Sequence, residues 1–184
     1  MVSNAAERLI LVDSDDVEIG TLDKQSCHDG AGTLHRAFSL FVFNPLGELL
    51  IQQRAPGKRL WPEYWSNSCC SHPRQGETME FAVQRRSQQE LGFATPMQFV
   101  YKFEYSAQFR DLGSEHELCS VFVGQFAGEP HVNATEIMDW CWCPVAQLEA
   151  QLQNEPEKFT PWFKLEWQHL QSEFAPLINA FAEA

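Results

Sequence analysis

One helix pattern set among β-rich runs constrains this chain most. The pattern starts near Glu77-Thr78, runs through Met79, Phe81-Ala82-Val83 and Leu91, and stops at Gly92, a residue type that closes helices in the left-handed conformation. β-rich runs stand on both sides of it. Residues 8–13 and 17–22 predict two brief strands; 35–43 and 48–53, joined by Asn44-Pro45-Leu46-Gly47, predict a hairpin. Residues 98–109 and 116–126 predict two strands around a loop at 110–114, and 138–143 predicts another. Pro144 opens a helix to about Gln153, and Thr160-Pro161 caps a final helix carrying Trp162, Phe163, Leu165, Trp167 and Leu170. Strands and helices mixed in this order bury their apolar faces as layers, so the fold class is α/β, a mixed β-sheet between helices.

At 184 residues the chain suits one domain, 1–184 with a core over about 9–165, and shows no repeat or linker. It has no secretory leader pattern and no apolar run long enough to span a bilayer. A cytoplasmic protein is expected, with its six cysteines reduced. The formal net charge of -12 speaks against nucleic acid and anionic membrane as partners. Monomer and homodimer stay open.

Charge is nevertheless uneven. Between residues 54 and 86 lie Arg54, Lys58, Arg59, Arg74, Arg85 and Arg86, opposed only by Glu63, Glu77 and Glu80. A local anion site, such as one for phosphate, fits this excess; a solvated surface run is the plain alternative.

Chemistry concentrates at residues 66–76, Ser-Asn-Ser-Cys-Cys-Ser-His-Pro-Arg-Gln-Gly. Two thiols and an imidazole meet there just ahead of the helix, although a buried cysteine pair in an apolar strand would also account for Cys69 and Cys70. Upstream, the glycine-bearing stretch 27–35 reads as a tight loop flanked by His28 and His35. Downstream, Glu115 and Glu117 point to one side of their strand at period two. Each residue alone is more often structural. Together His28, His35, His72, Glu115 and Glu117 make a donor set suited to zinc, manganese or iron. Glu90, four residues from Arg86 on one helix face, fits a second and harder ion, magnesium, shared with substrate phosphate oxygens.

The segments Cys70-Ser71-His72-Pro73, Trp61-Pro62, Trp65-Ser66-Asn67, the 28–35 loop, Glu115-His116-Glu117 and Phe159-Thr160-Pro161-Trp162 resemble, in order and spacing, those of the type I isopentenyl-diphosphate delta-isomerases. The resemblance runs from about Leu9 to Trp162 and implies the Nudix fold. The Nudix box, G-x5-E-x7-R-E-U-x-E-E-x-G-U, is kept at Glu77, Arg85, Glu90, Gly92 and Phe93, but Ser71, Arg86 and Gln89 replace its first glycine and two of its glutamates. Loss of those carboxylates agrees with an enzyme that grips a diphosphate without cutting it; a Nudix hydrolase is the rival.

The resemblance further implies that Cys70 and Glu117 handle protons on opposite faces of isopentenyl diphosphate. Tyr105 would lie beside Glu117, and Trp162 would face the hydrocarbon end. His28, His35, His72, Glu115 and Glu117 would hold one tightly bound transition ion, Mn2+ or Zn2+. Glu90 would hold Mg2+ on the diphosphate, and Lys24, Arg54, Lys58 and Arg86 would complete the anion site.

Overall fold

The computed structural model describes residues 4–182, so residues 1–3 and 183–184 of the expected 1–184 domain lie outside it. In chain order the elements are β1 (Arg8–Val12), β2 (Glu18–Asp23), α1 (Lys24–Cys27), β3 (His35–Phe43), β4 (Leu49–Arg54), β5 (Trp65–Ser66), β6 (Cys69–Ser71) and α2 (Met79–Leu91). There follow β7 (Met97–Phe109), β8 (Gly113–Gln125), β9 (Ile137–Cys143), α3 (Val145–Asn154), a 3-10 turn at Pro156–Lys158, α4 (Pro161–Glu173) and α5 (Ala175–Ala182).

β3 is the axis. Its whole length pairs in parallel with β8, from His35 opposite Glu117 to Phe43 opposite Gln125, while its other edge takes β1 at His35 and β6 at residues 38–40. A strand buried on both faces reads as a nearly continuous apolar run. Phe38, Leu40 and Val42 join Ala82, Val83 and Leu91 of α2 in one core. Ala37, Phe41 and Phe43 join Phe163, Trp167 and Leu170 of α4 in the other. The sheet therefore lies between helices, as the sequence predicts.

The strong helix signal is physically well terminated. Thr78 Oγ1 accepts a hydrogen bond from Phe81 N at 3.3 Å, and Gly92 closes α2 at φ 79°; such an N-cap contributes about 1 kcal/mol. A Cβ on Gly92 would stand 2.7 Å from the His131 carbonyl oxygen, so this stop needs glycine for space as well as for φ.

Four expectations change. The 35–43 and 48–53 runs form a hairpin only at its tip, Phe43 opposite Leu49, because β3 leaves to pair with β8 while β4 pairs with β9. The loop at 110–114 is shorter, since β7 and β8 keep pairing down to Phe109 opposite Gly113. The stretch 27–35 is preceded by the helical turn α1, capped by Asp23, whose side chain accepts from Ser26 N. The final helix breaks at Phe174 into α4 and α5. Among the described residues no helix is long and apolar enough to cross a membrane.

Candidate active site

Sheet register assembles the site. On one edge of β3, His35 stands opposite Glu117, and Glu117 stands opposite Tyr105 across β8 and β7. On the other edge Ser39 stands opposite Cys70. His72 follows β6 by one residue, and His28 is delivered by the end of α1. One ligand-type atom from each of His28, His35, His72, Glu115 and Glu117 lies within 4.8 Å of all the others, and all five residues are buried. His116, between the two glutamates, points away and meets Glu104 at 3.1 Å.

The imidazoles are already oriented as ligands. His28 Nδ1 lies 2.6 Å from the Lys24 carbonyl oxygen and His35 Nδ1 lies 2.7 Å from that of Thr33. A carbonyl only accepts, so each Nδ1 carries a hydrogen and each Nε2 is the ring atom turned to the centre. His28 Nε2 then faces Glu115 Oε2 at 2.7 Å, two acceptors that need a proton or a cation between them. His35 Nε2 is buried without a hydrogen-bond partner, 3.8 Å from Glu117 Oε1, and His72 Nε2 lies 2.9 Å from that same oxygen. Burial and the charge of His28 pull His35 down to about 4, and burial and Lys24 pull His72 well below the ordinary histidine range. Neutral imidazole is the metal-binding form. The donor set thus fits a divalent ion.

The two carboxyls titrate apart. Burial opposes ionisation of both; His28 outweighs it at Glu115 and holds that group at about 2. Burial and the Glu115 charge push Glu117 well up. Tyr105 Oη donates to Glu117 Oε2 at 2.6 Å, and burial followed by the Glu117 charge keeps that phenol protonated.

Strand alternation separates the adjacent thiols. Cys69 is wholly buried in the α2-side core, whereas Cys70 turns to the opposite face and lines the cleft. The site stretch is therefore partly strand: Cys69 fits the reading of a buried core cysteine, and Cys70 reaches the cleft. Cys70 Sγ donates to Asn67 Oδ1 at 2.8 Å and receives Trp162 Nε1–H at 3.1 Å. Burial pushes its thiol up to about 12.

The cleft, about 210 Å³, is lined by Cys70, Tyr105, Glu115, Glu117 and Trp162 together with all four expected basic residues, Lys24, Arg54, Lys58 and Arg86. Burial, then the charges of Lys58 and Arg86, lowers Lys24 to about 8, as a buried cation beside other cations requires. Arg54 donates to the Trp61 and Leu60 carbonyl oxygens, both at 2.9 Å, and its Cζ lies 5.2 Å from the Trp162 ring centroid. That indole face takes positive charge. Glu90 is paired with Arg86 and is not among the lining residues.

A NUDIX domain family model matches residues 33–163. An isopentenyl-diphosphate Delta-isomerase 1 of Photorhabdus laumondii is 43% identical over 174 residues, covering 93% of this chain and 99% of that protein. This chain belongs to the isopentenyl-diphosphate Delta-isomerase family. Another isopentenyl-diphosphate Delta-isomerase, from Serratia proteamaculans, is 46% identical over 85% of this chain and 87% of its own length. The fold recurs in a Deinococcus radiodurans crystal structure (TM-score 0.67, 22% identity, 81% of this chain and 90% of that one). It recurs again in a MutT protein from Methanosarcina mazei (TM-score 0.63, 16% identity, 77% and 95%).

Several residues of this isomerase-family site have only a general place in the sequence analysis, or none. Arg59 lines the cleft and donates to the Leu112 carbonyl oxygen at 2.8 Å, tying that wall to the β7–β8 turn. Asn67 and Ser39 hold the thiol; Asn67 belongs to the Trp65-Ser66-Asn67 segment, but nothing local marks Ser39. Gly113 is a further support. At φ 146°, a Cβ there would fall 2.2 Å from the His28 carbonyl oxygen, which accepts from Ser114 N at 3.0 Å.

Metal content provides a direct check. Elemental analysis of protein purified without chelator should find about one divalent transition ion per chain. Gly113→Ala, which displaces the His28 segment, should weaken that ion's affinity by about 10-fold to 100-fold; unchanged affinity would show that His28 is not a ligand.

Proposed function

We propose that this chain converts isopentenyl diphosphate to dimethylallyl diphosphate by adding a proton at the terminal alkene carbon and removing one from the carbon next to the diphosphate-bearing carbon. The observation that carries this reading is the placement of two proton-handling groups on strands that flank β3 from opposite edges. Glu117 with Tyr105 comes from β8 and β7, and Cys70 comes from β6; all three line one cleft.

The chemistry needs this arrangement because protonation creates a tertiary cation-like state that must lose a different proton without meeting water. The Tyr105–Glu117 pair holds a proton in a 2.6 Å hydrogen bond and delivers it at the alkene. Cys70, its own hydrogen first released to solvent and the resulting thiolate steadied by the Trp162 N–H, receives the departing proton. Trp61 stacks edge-on against Trp162 at 5.2 Å and tilts on Phe109 at 5.0 Å, walling the hydrocarbon end. Lys24, Arg54, Lys58 and Arg86 take the diphosphate. A transition ion, Mn2+ or Zn2+, on His28, His35, His72, Glu115 and Glu117 would supply Lewis acidity to Glu117 and its partner phenol, and Mg2+ on Glu90 would neutralise phosphate charge. For Glu90 that role requires loosening its Arg86 pair, which releases Arg86 toward the same anion.

Incubation with isopentenyl diphosphate and magnesium should yield dimethylallyl diphosphate. Release of inorganic phosphate without that product would instead mark a hydrolase and overturn the proposal.

Lys24 gives this reading a pH signature. Its folded-state pKa is lowered to about 8, so the free enzyme carries the cation below that value and loses it above. KM should rise as pH climbs through that range. Lys24→Met should raise KM at neutral pH by about tenfold or more, the loss of one charge-assisted hydrogen bond, and should abolish that pH dependence of KM. Steady-state kinetics from acid to alkaline pH measures both.

A further inference from the structure

The anion end of the cleft holds an acid that has no part in the chemistry above. Glu136, the residue before β9, is 1% exposed and lines the cleft together with Lys58. A carboxylate is costly to bury, and one set beside a diphosphate also repels it. Its contacts show what offsets both effects. Glu136 Oε2 pairs with the Lys58 ammonium, and the two side chains are 1% and 17% exposed.

The same residue fixes the backbone that carries Lys58. The Glu136 carbonyl oxygen accepts from Ala55 N at 2.9 Å, and Lys58 N donates to the Ala55 carbonyl oxygen at 3.1 Å, closing the turn after β4. Lys58 is therefore held at both its ammonium and its turn by one residue. Glu136 in turn is anchored to the far wall of the site. Its N–H donates to the Asn133 carbonyl oxygen at 2.9 Å, and Asn133 N donates to the Glu90 carbonyl oxygen at 2.8 Å, at the end of α2. Because α2 also carries Arg86, the 133–136 segment sets the spacing between two cations of the anion site.

We propose that Glu136 is a positioning residue for diphosphate binding: its carboxylate holds the Lys58 ammonium at the anion end of the cleft, so that Lys58 meets the phosphate oxygens already in place. A lysine stem is long and flexible, and ordering it opposes binding unless it is ordered beforehand. An ammonium has three donors, so it can keep Glu136 on one and turn the others to phosphate. This inference rests on the reading of Lys58 as a diphosphate ligand.

The test is a double-mutant cycle read by calorimetry with inorganic pyrophosphate, magnesium present, on the full chain. Glu136→Gln keeps the main-chain bonds to Ala55 and Asn133 and removes the charge that holds the ammonium; its dissociation constant for pyrophosphate should rise about tenfold, the scale of one charge-assisted hydrogen bond. In the Lys58→Met background, where there is no ammonium to hold, the same change should cost nothing further. Glu136→Asp keeps the charge but shortens its reach by one methylene, and it should show the same pattern, so the cycle can be closed with either variant. In steady-state kinetics with isopentenyl diphosphate the effect should fall mainly on KM rather than on kcat.

A loss of equal size with and without Lys58 would mean that Glu136 only supports the fold, and it would overturn the proposal. Unchanged or tighter pyrophosphate binding in Glu136→Gln would overturn it too, since the carboxylate would then be neutral or merely repulsive toward the anion. The expected cycle in a chain that makes no dimethylallyl diphosphate would keep the link between Glu136 and Lys58 while removing the isomerase reading.

Discussion

Cys70→Ala is expected to lower turnover by about a thousandfold or more, while Cys69→Ala keeps most of it, although the two residues are neighbours in sequence. The reason is geometric. In β6 successive side chains leave opposite faces of the sheet, so Cys69 enters the core beneath α2 and Cys70 enters the cleft. Only Cys70 Sγ has the Asn67, Ser39 and Trp162 partners. Removing its sulfur takes away the proposed acceptor for the departing proton and leaves the Trp162 N–H to Ser66 Oγ alone, at 3.1 Å. Cys69→Ala removes a wholly buried sulfur from an apolar cluster, which should cost about 1 kcal/mol of stability and show as a lower melting temperature. Rates and melting curves on both variants decide the matter. Equal loss of activity in two well-folded variants would mean that Cys70 is not the base.

The contrast between these cysteines also marks how far sequence carries. Site residues arrive in short motifs whose types announce chemistry, and His28, His35, His72, Glu115 and Glu117 do converge. What brings them together is invisible locally. The strand at 35–43 reads as half of a hairpin because a turn follows it, yet its main partner is β8, some eighty residues away; pairing at that distance leaves no mark in either run. The same long-range register hides Ser39, a small polar residue in an apolar strand. Arg59 was counted as charge, but its aim depends on the strained backbone around it, where Trp61 and Glu63 both have positive φ. Helix α2 was legible because its cap, its stop and its apolar positions are all local.

Tyr105→Phe carries the second large effect, and it separates proton delivery from proton removal. Glu117 is both the proposed proton-handling group and a candidate metal ligand, so Glu117→Gln should lose activity and metal together and cannot tell the roles apart. Tyr105 touches Glu117 through one hydrogen bond, Oη to Oε2 at 2.6 Å, and is not a member of the donor cluster. Phenylalanine keeps the ring that stacks on Phe103 at 5.4 Å and meets Trp162 at 6.4 Å, and removes only the donor. The rate should fall by about a hundredfold to a thousandfold, the range of a positioned acid, with the metal content unchanged. Turnover in heavy water should place deuterium in the new methyl group of dimethylallyl diphosphate in both parent and variant, because the carboxyl still delivers a solvent-derived proton to the same carbon, only more slowly. If the variant loses its ion as well, Tyr105 supports the metal centre rather than the proton. If no solvent deuterium enters the methyl group of the parent's product, the double bond does not move by protonation, and the Glu117–Tyr105 pair must have another task.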